Sequence, residues 1–129
     1  MNIAIDLTQI PADKTGIGIY ALNLVREILY LNNISNKFSI FFFAQDDDQE
    51  WQKLIDNSDN NNKTCHLIPI KSSIFRKLIF RFFFEQVLLP RRCKKLDIDA
   101  IYSFHYTMPY ITRIKRVVTI PYMTLYIFP

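Results

Sequence analysis

The sequence predicts an α/β protein built on a doubly wound, Rossmann-like parallel sheet of about five strands. Short apolar runs alternate along the chain with stretches of helical periodicity, which is the pattern of strand–helix–strand units. One run, residues 38–44, is apolar at nearly every position, as is typical of a parallel strand covered on both faces. The 129 residues are 50% hydrophobic, enough to bury the core of one domain or of a piece of one.

The N-terminal half of the chain begins with an isoleucine-rich run, Asn2–Leu7, that predicts a buried strand. Apolar residues then recur at helical spacing over Tyr20–Leu31 and predict an amphipathic helix. A second strand is predicted at residues 38–44, and a short helix at residues 50–55. Residues 57–63 are rich in Asn and Asp and predict a solvated loop.

A basic amphipathic helix is predicted after a weaker third strand at residues 64–69. Apolar residues recur at helical spacing over residues 74–83, with three cations between them. Pro90 is expected to kink this helix or to start a new turn. Two interpretations stay open: the apolar face packs on the core while the basic face is solvated, or the helix lies on an anionic membrane surface.

Two more strands, at residues 99–103 and 116–120, complete the predicted sheet. Ligands of such sheets bind outside the carboxyl ends of the strands. That edge would hold the loop at Gly16–Gly18, the loop around His105 and the segment after Ile120. Three loops at one edge make it the candidate binding site.

The stretch between the first strand and the first helix contains both glycines of the chain, Gly16 and Gly18. A strand, a glycine-containing loop and a helix N-terminus together direct backbone N–H groups and the positive helix end toward an anion. The alternative is an ordinary helix start capped by Thr15. The stretch does not match the phosphate loop G-x-x-x-x-G-K-[ST], and Ala21 breaks the dinucleotide pattern G-x-G-x-x-G.

Charge is distributed unevenly within the net +4 of the chain. Residues 1–70 carry five Lys/Arg and nine Asp/Glu, whereas residues 71–116 carry eleven Lys/Arg and three Asp/Glu. A basic half of this size favours an anionic neighbour such as a lipid surface, a phosphorylated substrate or nucleic acid. Charged residues interrupt the apolar run at residues 74–89, so it is not predicted to span a membrane.

The two cysteines, Cys65 and Cys93, lie far apart without a C-x-x-C motif, which indicates reduced thiols in a reducing compartment. His66 follows Cys65 without a second ligand pair, so neither a metal site nor a cofactor is expected. The N-terminus shows no signal-peptide pattern. We therefore expect a cytoplasmic protein, and the basic helix would allow peripheral attachment to the inner face of the membrane.

Four stretches carry more specific patterns. They are residues 15–20 (TGIGIY, after Asp6), residues 84–90 (FEQVLLP), residues 102–109 (YSFHYTMP) and residues 117–129 (VVTIPYMTLYIFP). In this order they resemble the T-G-I-G-R-Y turn, the W-E-Q-x-x-L-P helix, the H-S-P-H-Y-x-x-P loop and the V-V-T-I-H-D-L-x-x-x-x-F-P stretch of one family. That family is the retaining glycosyltransferases of the GT-B fold, family 4, and the resemblance covers its N-terminal half.

The resemblance implies a transferase that moves a sugar from a nucleotide-sugar donor to a glycan or lipid-linked acceptor, as in polysaccharide or cell-surface glycan biosynthesis. The glycine turn would face the diphosphate of the donor, and the loop around His105 would line the acceptor side. The substrate-binding residues so implied are Gly16, Ile17, Gly18, Tyr20, His105 and Tyr106. Without the resemblance, His105 is equally well explained as a loop histidine bonded to backbone.

The chain also departs from the family pattern. Ile19 stands where the family has Arg, and Pro121-Tyr122 stands where it has His-Asp at the reaction centre. No catalytic residue is therefore assigned. The donor-binding domain with its E-x7-E motif does not occur within residues 1–129. We expect a single, incomplete, acceptor-side domain that is inactive and poorly soluble alone.

The alternative function is a non-catalytic module that binds a membrane or another polyanion through the basic helix at residues 74–95. Nucleic acid is not an expected partner, because the aromatic residues around Phe82 have core-like helical spacing and no known reader motif occurs.

Overall fold

The computed structural model describes residues 1–10, 16–34, 39–57, 65–104, 109 and 113–119, with backbone alone at residues 31–34 and 57. The strands are β1 (Asn2–Asp6), β2 (Ser39–Gln45), β3 (Cys65–Ile70), β4 (Ala100–Ser103) and β5 (Lys115–Val118). The α-helices are α1 (Gly16–Ile34), α2 (Gln49–Asn57), α3 (Leu78–Phe83) and α4 (Leu89–Lys95). A 3-10 helix at Ser72–Arg76 precedes α3, and a π-helical turn at Phe84–Leu88 joins α3 to α4.

The five strands form one sheet in the order β3-β2-β1-β4-β5, and every neighbouring pair is parallel. The chain therefore starts in the middle of the sheet, moves outward to β3, and crosses back to add β4 and β5 on the other side of β1. This confirms the predicted Rossmann-like α/β sheet of five parallel strands.

Helices cover both faces of the sheet, which explains why the strand sequences are apolar on both sides. On one face α1 and α2 pack over β1 and β2, and this first core cluster includes Val25, Leu29, Phe42, Trp51 and Phe104. On the opposite face the π-helical turn and α4 pack over the sheet, and this second core cluster includes Ala4, Phe43, Phe84, Leu89 and Cys93. Adjacent strand residues such as Phe42 and Phe43 thus belong to different clusters.

Most predicted elements occur where the pattern indicated, with boundaries shifted by a few residues. The largest shift is in α1, which begins at Gly16 and ends at Ile34, whereas the periodic stretch began at Tyr20. Pro69 lies inside β3. A proline lacks the N–H that a central strand must donate, and it is tolerated because β3 is at the edge of the sheet.

The π-helical turn lies directly before Pro90, which occupies the first turn of α4. Pro90 has no N–H to donate to the carbonyl four residues earlier, and its ring crowds that carbonyl. The widened turn avoids this conflict, since the Leu89 N–H bonds the carbonyl of Phe84, five residues back. Pro90 therefore starts a new helical segment, one of the two outcomes predicted for it.

The interpretation in which the apolar face of the basic helix packs on the core is wrong for most of the helix. Ile74 and Phe75 do pack against the second core cluster. In α3, however, Leu78, Ile79, Phe80, Phe82 and Phe83 are each more than half exposed. The helical spacing correctly predicted a helix. However, no element among the described residues covers α3, so these apolar residues do not face a core. Within the described ranges, no helix has both the length and the apolar character needed to cross a bilayer.

Candidate functional site

The strand order places a topological switch point between β1 and β4. From β1 the chain continues through α1 to β2 on one side, whereas β4 lies on the other side of β1 and continues toward β5. The connections after the two adjacent strands therefore diverge, and in open α/β sheets a ligand crevice is expected at such a point, outside the carboxyl ends of the strands. Asp6 ends β1 and Ser103 ends β4, and the two are register partners in the sheet.

The N-terminus of α1 belongs to this edge because α1 is the helix that follows β1. Its first turn carries no acidic side chain that would compensate the positive helix end. The first N–H groups of an α-helix have no partner within the helix. The start of α1 thus has the electrostatic character that favours an anionic ligand.

Gly16 and Gly18 are not used for a left-handed turn, because neither has a positive φ. Both lie inside the first turn of α1, where glycine costs about 1 kcal/mol relative to alanine. Gly18 is buried although it has no side chain, so the helix backbone there lies close to its neighbours. Close approach of neighbouring atoms to the backbone is therefore what the structure shows for Gly18.

Three aromatic side chains from two elements meet beside this helix start. The ring of Phe104 lies edge-on to Tyr20 of α1, with 6.0 Å between ring centroids, and edge-on to Tyr102 of β4 at 4.9 Å. The Tyr102 hydroxyl is hydrogen-bonded to the hydroxyl of Thr119, the residue after β5. Burial raises the pKa of Tyr102, and the neighbouring Tyr20 adds to the increase while the bond to Thr119 opposes it.

A tight polar turn follows β1 on the other face of the sheet. The Asp6 carboxylate accepts a hydrogen bond from the Thr8 N–H at 3.0 Å and another from the Thr8 hydroxyl. Both residues are buried. Burial raises the pKa of Asp6, while the two bonds from Thr8 and the positive charge of Arg81 oppose that increase.

The turn is also tied to the neighbouring strand, since the Gln45 side-chain amide donates to the Thr8 carbonyl at 2.8 Å. The Leu7 N–H donates to the Phe43 carbonyl at 2.7 Å. On the same side, burial raises the pKa of the Cys93 thiol to about 12, and the nearby Asp6 carboxylate contributes to this increase. The exit from β1 is therefore held by fixed hydrogen bonds, and Cys93 is an unreactive core thiol.

The predicted site residues are only partly within the described structure. Gly16, Ile17, Gly18 and Tyr20 form the first turn of α1, and Tyr20 contacts the end of β4 as described. Ile17 is half-buried against the first core cluster, so its side chain packs inward. His105 and Tyr106 lie outside the described residues, as do Thr15 and Pro121. Within the described part of the chain, no group of three His, Cys, Asp or Glu could hold a metal ion.

Sequence reasoning assigned no site role to Tyr102, Thr119 or the Asp6–Thr8 turn. Tyr102 and Thr119 come together only because β4 and β5 are parallel neighbours, with Tyr102 opposite Val117. A signal for the Asp6 turn was present in the sequence: Asp at a strand end, followed by Thr two residues later, is a common side-chain-to-backbone turn.

Comparisons with known proteins find no match to a family model, to a curated protein or to a solved structure.

Proposed function

We propose that this chain is the acceptor-side domain of a sugar transferase with a GT-B fold, which uses a nucleotide-sugar donor and a glycan or lipid-linked acceptor. One observation carries the proposal. Tyr20, Phe104 and Thr119 come from three different stretches that resemble the glycosyltransferase family, and all three meet around Tyr102. The fold thus brings three of the stretches that resemble the family to one edge of the sheet, the edge where ligands of such sheets bind, and this supports the proposal.

In this proposal the N-terminus of α1 binds the negatively charged diphosphate of the donor. Backbone N–H groups that have no partner within the helix stabilise charge on a leaving group without having to reorient. Within the described first turn of α1 no side chain is acidic, so that turn itself does not compensate the positive helix end. Gly18 is buried in the same turn, and α1 follows β1, so the positive end of α1 lies at the edge of the sheet where the ligand is proposed to bind.

The aromatic side chains would form one wall of the crevice. Tyr20 is 49% exposed and Tyr102 is half-buried, so part of each aromatic side chain remains accessible to a sugar or a lipid-linked glycan. Ile19, which stands in place of the family arginine, is 53% exposed in the same turn and supplies no charge for a phosphate. The proposal therefore gives the described residues a role in binding and names none of them as catalytic. It predicts no sugar transfer by this chain alone.

Direct titration with a nucleoside diphosphate, followed by calorimetry or NMR, tests the helix-terminus part of the proposal. Gly16→Pro is the informative variant, because proline is well tolerated at the first helical position yet removes one N–H there. We expect the variant to fold normally and to bind the diphosphate about tenfold more weakly, the value of one charge-assisted hydrogen bond. Gln49→Pro, at the first position of α2, is the matched control and should leave binding unchanged.

Two results would overturn the proposal. One is a diphosphate affinity that is the same in the Gly16→Pro variant and in the unaltered chain. The other is the absence of diphosphate binding at millimolar concentration. Turnover of a nucleotide sugar by the purified 129-residue chain would separately refute the claim that it acts only on the acceptor side.

A further inference from the structure

The most unusual surface of the molecule is the α3 surface, which consists of five apolar side chains on a helix of six residues. The exposed fractions are 79% for Leu78, 79% for Ile79, 52% for Phe80, 60% for Phe82 and 51% for Phe83. Single exposed apolar residues are ordinary on proteins, but a contiguous group marks an interaction site. Exposing these side chains to water is unfavourable, so an occupant that covers them is to be expected.

The core anchors the α3 surface at both ends. Phe75, just before α3, lies edge-on to Phe84, just after it, with 5.3 Å between ring centroids. Phe84 is 1% exposed and belongs to the second core cluster. The π-helical turn that begins at Phe84 is the point where the chain passes from exposed to buried apolar residues. The chain on either side of the α3 surface is therefore fixed to the second core cluster.

The chain on both sides of α3 is positively charged. Eight Lys/Arg occur between residues 71 and 95, and all are exposed except the half-buried Arg81. Glu85 is the only acidic residue in that range, and it is buried. Lys77 illustrates the arrangement, because its ammonium lies 5.7 Å from the centroid of the Phe80 ring. The apolar α3 surface is thus flanked along the chain by these basic residues, the cationic border.

We propose that the α3 surface docks on the face of an anionic lipid bilayer. The six residues of α3 extend over about 9 Å, so α3 would lie in the headgroup region, where aromatic and aliphatic side chains are favourably placed. The basic side chains around it can reach lipid phosphates while their stems remain on apolar surface. This inference does not depend on the transferase proposal.

Charge is also the reason to prefer a bilayer over a second copy of the chain. A symmetric dimer through the α3 surface would bring the cationic border of one copy close to that of the other, and like charges so placed oppose association. An acidic protein would neutralise the cationic border. However, Arg81 is the only polar side chain that α3 itself offers for specific hydrogen bonds to a protein. A fluid anionic bilayer can cover the apolar side chains of α3 and also neutralise the cationic border, and neither requires specific hydrogen bonds.

Sedimentation of the full chain with lipid vesicles tests this proposal. Vesicles of phosphatidylcholine, with and without about one third phosphatidylserine, are compared at about 0.05 M and about 0.5 M salt. We expect binding to the anionic vesicles only, weakened by high salt. The double variant Ile79→Gln/Phe82→Gln should bind about a hundredfold more weakly, about tenfold for each apolar side chain removed from the bilayer. Arg76→Gln/Lys77→Gln should bind about thirtyfold more weakly.

Matched controls come from elsewhere on the surface. Tyr30→Gln removes an aromatic side chain that is 64% exposed on α1, and Lys53→Gln removes an exposed cation on α2; neither should change lipid binding. Trp51 is the only tryptophan and is fully buried, so its fluorescence during urea unfolding verifies that each variant is folded.

Three results would overturn the proposal: no binding to anionic vesicles, equal binding to neutral vesicles at both salt concentrations, or full binding by the folded Ile79→Gln/Phe82→Gln variant. Ultracentrifugation without lipid identifies a competing occupant. If the unaltered chain is a dimer and the same double variant is a monomer, the α3 surface is an interface between copies, and the lipid proposal is wrong.

Discussion

Replacing Asp6 by alanine is expected to destabilise the protein far more than replacing it by asparagine. The Asp6 carboxylate holds the chain leaving β1, because it accepts bonds from both the N–H and the hydroxyl of Thr8. Thr8 is fully buried, so neither donor can turn to water when Asp6 is shortened. Asparagine keeps an oxygen in the same place and can accept both bonds.

The size of the effect follows from the two donors. Each buried donor left without its acceptor costs about 1–3 kcal/mol, so Asp6→Ala should lower the free energy of unfolding by about 2–6 kcal/mol. At this chain length that loss corresponds to a decrease in Tm of about 8–24 °C. Below pH 3.8, where the Asp6 carboxyl is uncharged like asparagine, Asp6→Asn should change the free energy of unfolding by less than about 1 kcal/mol.

The pH dependence gives a second readout of the same residue. Burial raises the pKa of Asp6 above its ordinary value of 3.8, so the folded chain holds this proton more tightly than the unfolded chain. The contribution of Asp6 to stability is therefore complete below pH 3.8 and is lost as pH rises through the folded-state pKa. Asparagine does not ionise, so Asp6→Asn should gain stability relative to the unaltered chain as pH rises from acid to neutral.

Urea unfolding followed by Trp51 fluorescence measures all three proteins across this pH range. The reasoning would be refuted if Asp6→Ala and Asp6→Asn had the same urea midpoint at neutral pH. It would also be refuted if the stability difference between Asp6→Asn and the unaltered chain did not depend on pH.

Two other residues give independent predictions. Tyr102→Phe removes the bond to Thr119, so we expect a loss of about 0.5–1.5 kcal/mol in urea unfolding. Because the pKa of Tyr102 is raised in the folded state, its contribution should also disappear as pH rises above 10.0, and the variant should lack that alkaline decline; an unchanged alkaline profile would contradict the assignment. Cys93, with a pKa of about 12, should react with a thiol reagent at mildly alkaline pH about a thousandfold more slowly in the folded chain than in urea. The Cys65→Ser background isolates this thiol, and equal folded and unfolded rates would show that Cys93 is accessible.

Much of the fold could be predicted because strand and helix periodicities are local properties of sequence. The run at residues 38–44 indicated a strand covered on both faces, and β2 indeed contributes Phe42 to one core cluster and Phe43 to the other. The position of the crevice followed from topology alone, since parallel strands bring their carboxyl ends to one edge. The contact of Tyr102 with Thr119 could not be predicted in this way, because it depends on which strands are neighbours and in which register.

The helical segment around α3 shows where sequence reasoning reached its limit. Periodicity identified the helix and Pro90 identified a break in it, because both depend on backbone geometry over a few residues. Whether an apolar side chain is buried depends on what packs against it, which is a property of the whole fold. Phe82 and Phe84 are alike in chemistry and two residues apart, yet one is 60% exposed and the other 1% exposed. The sequence by itself determined the order of elements, the parallel sheet and the basic apolar helix, whereas only the tertiary structure decided that the apolar residues of α3 face outward, since no other described element packs over them.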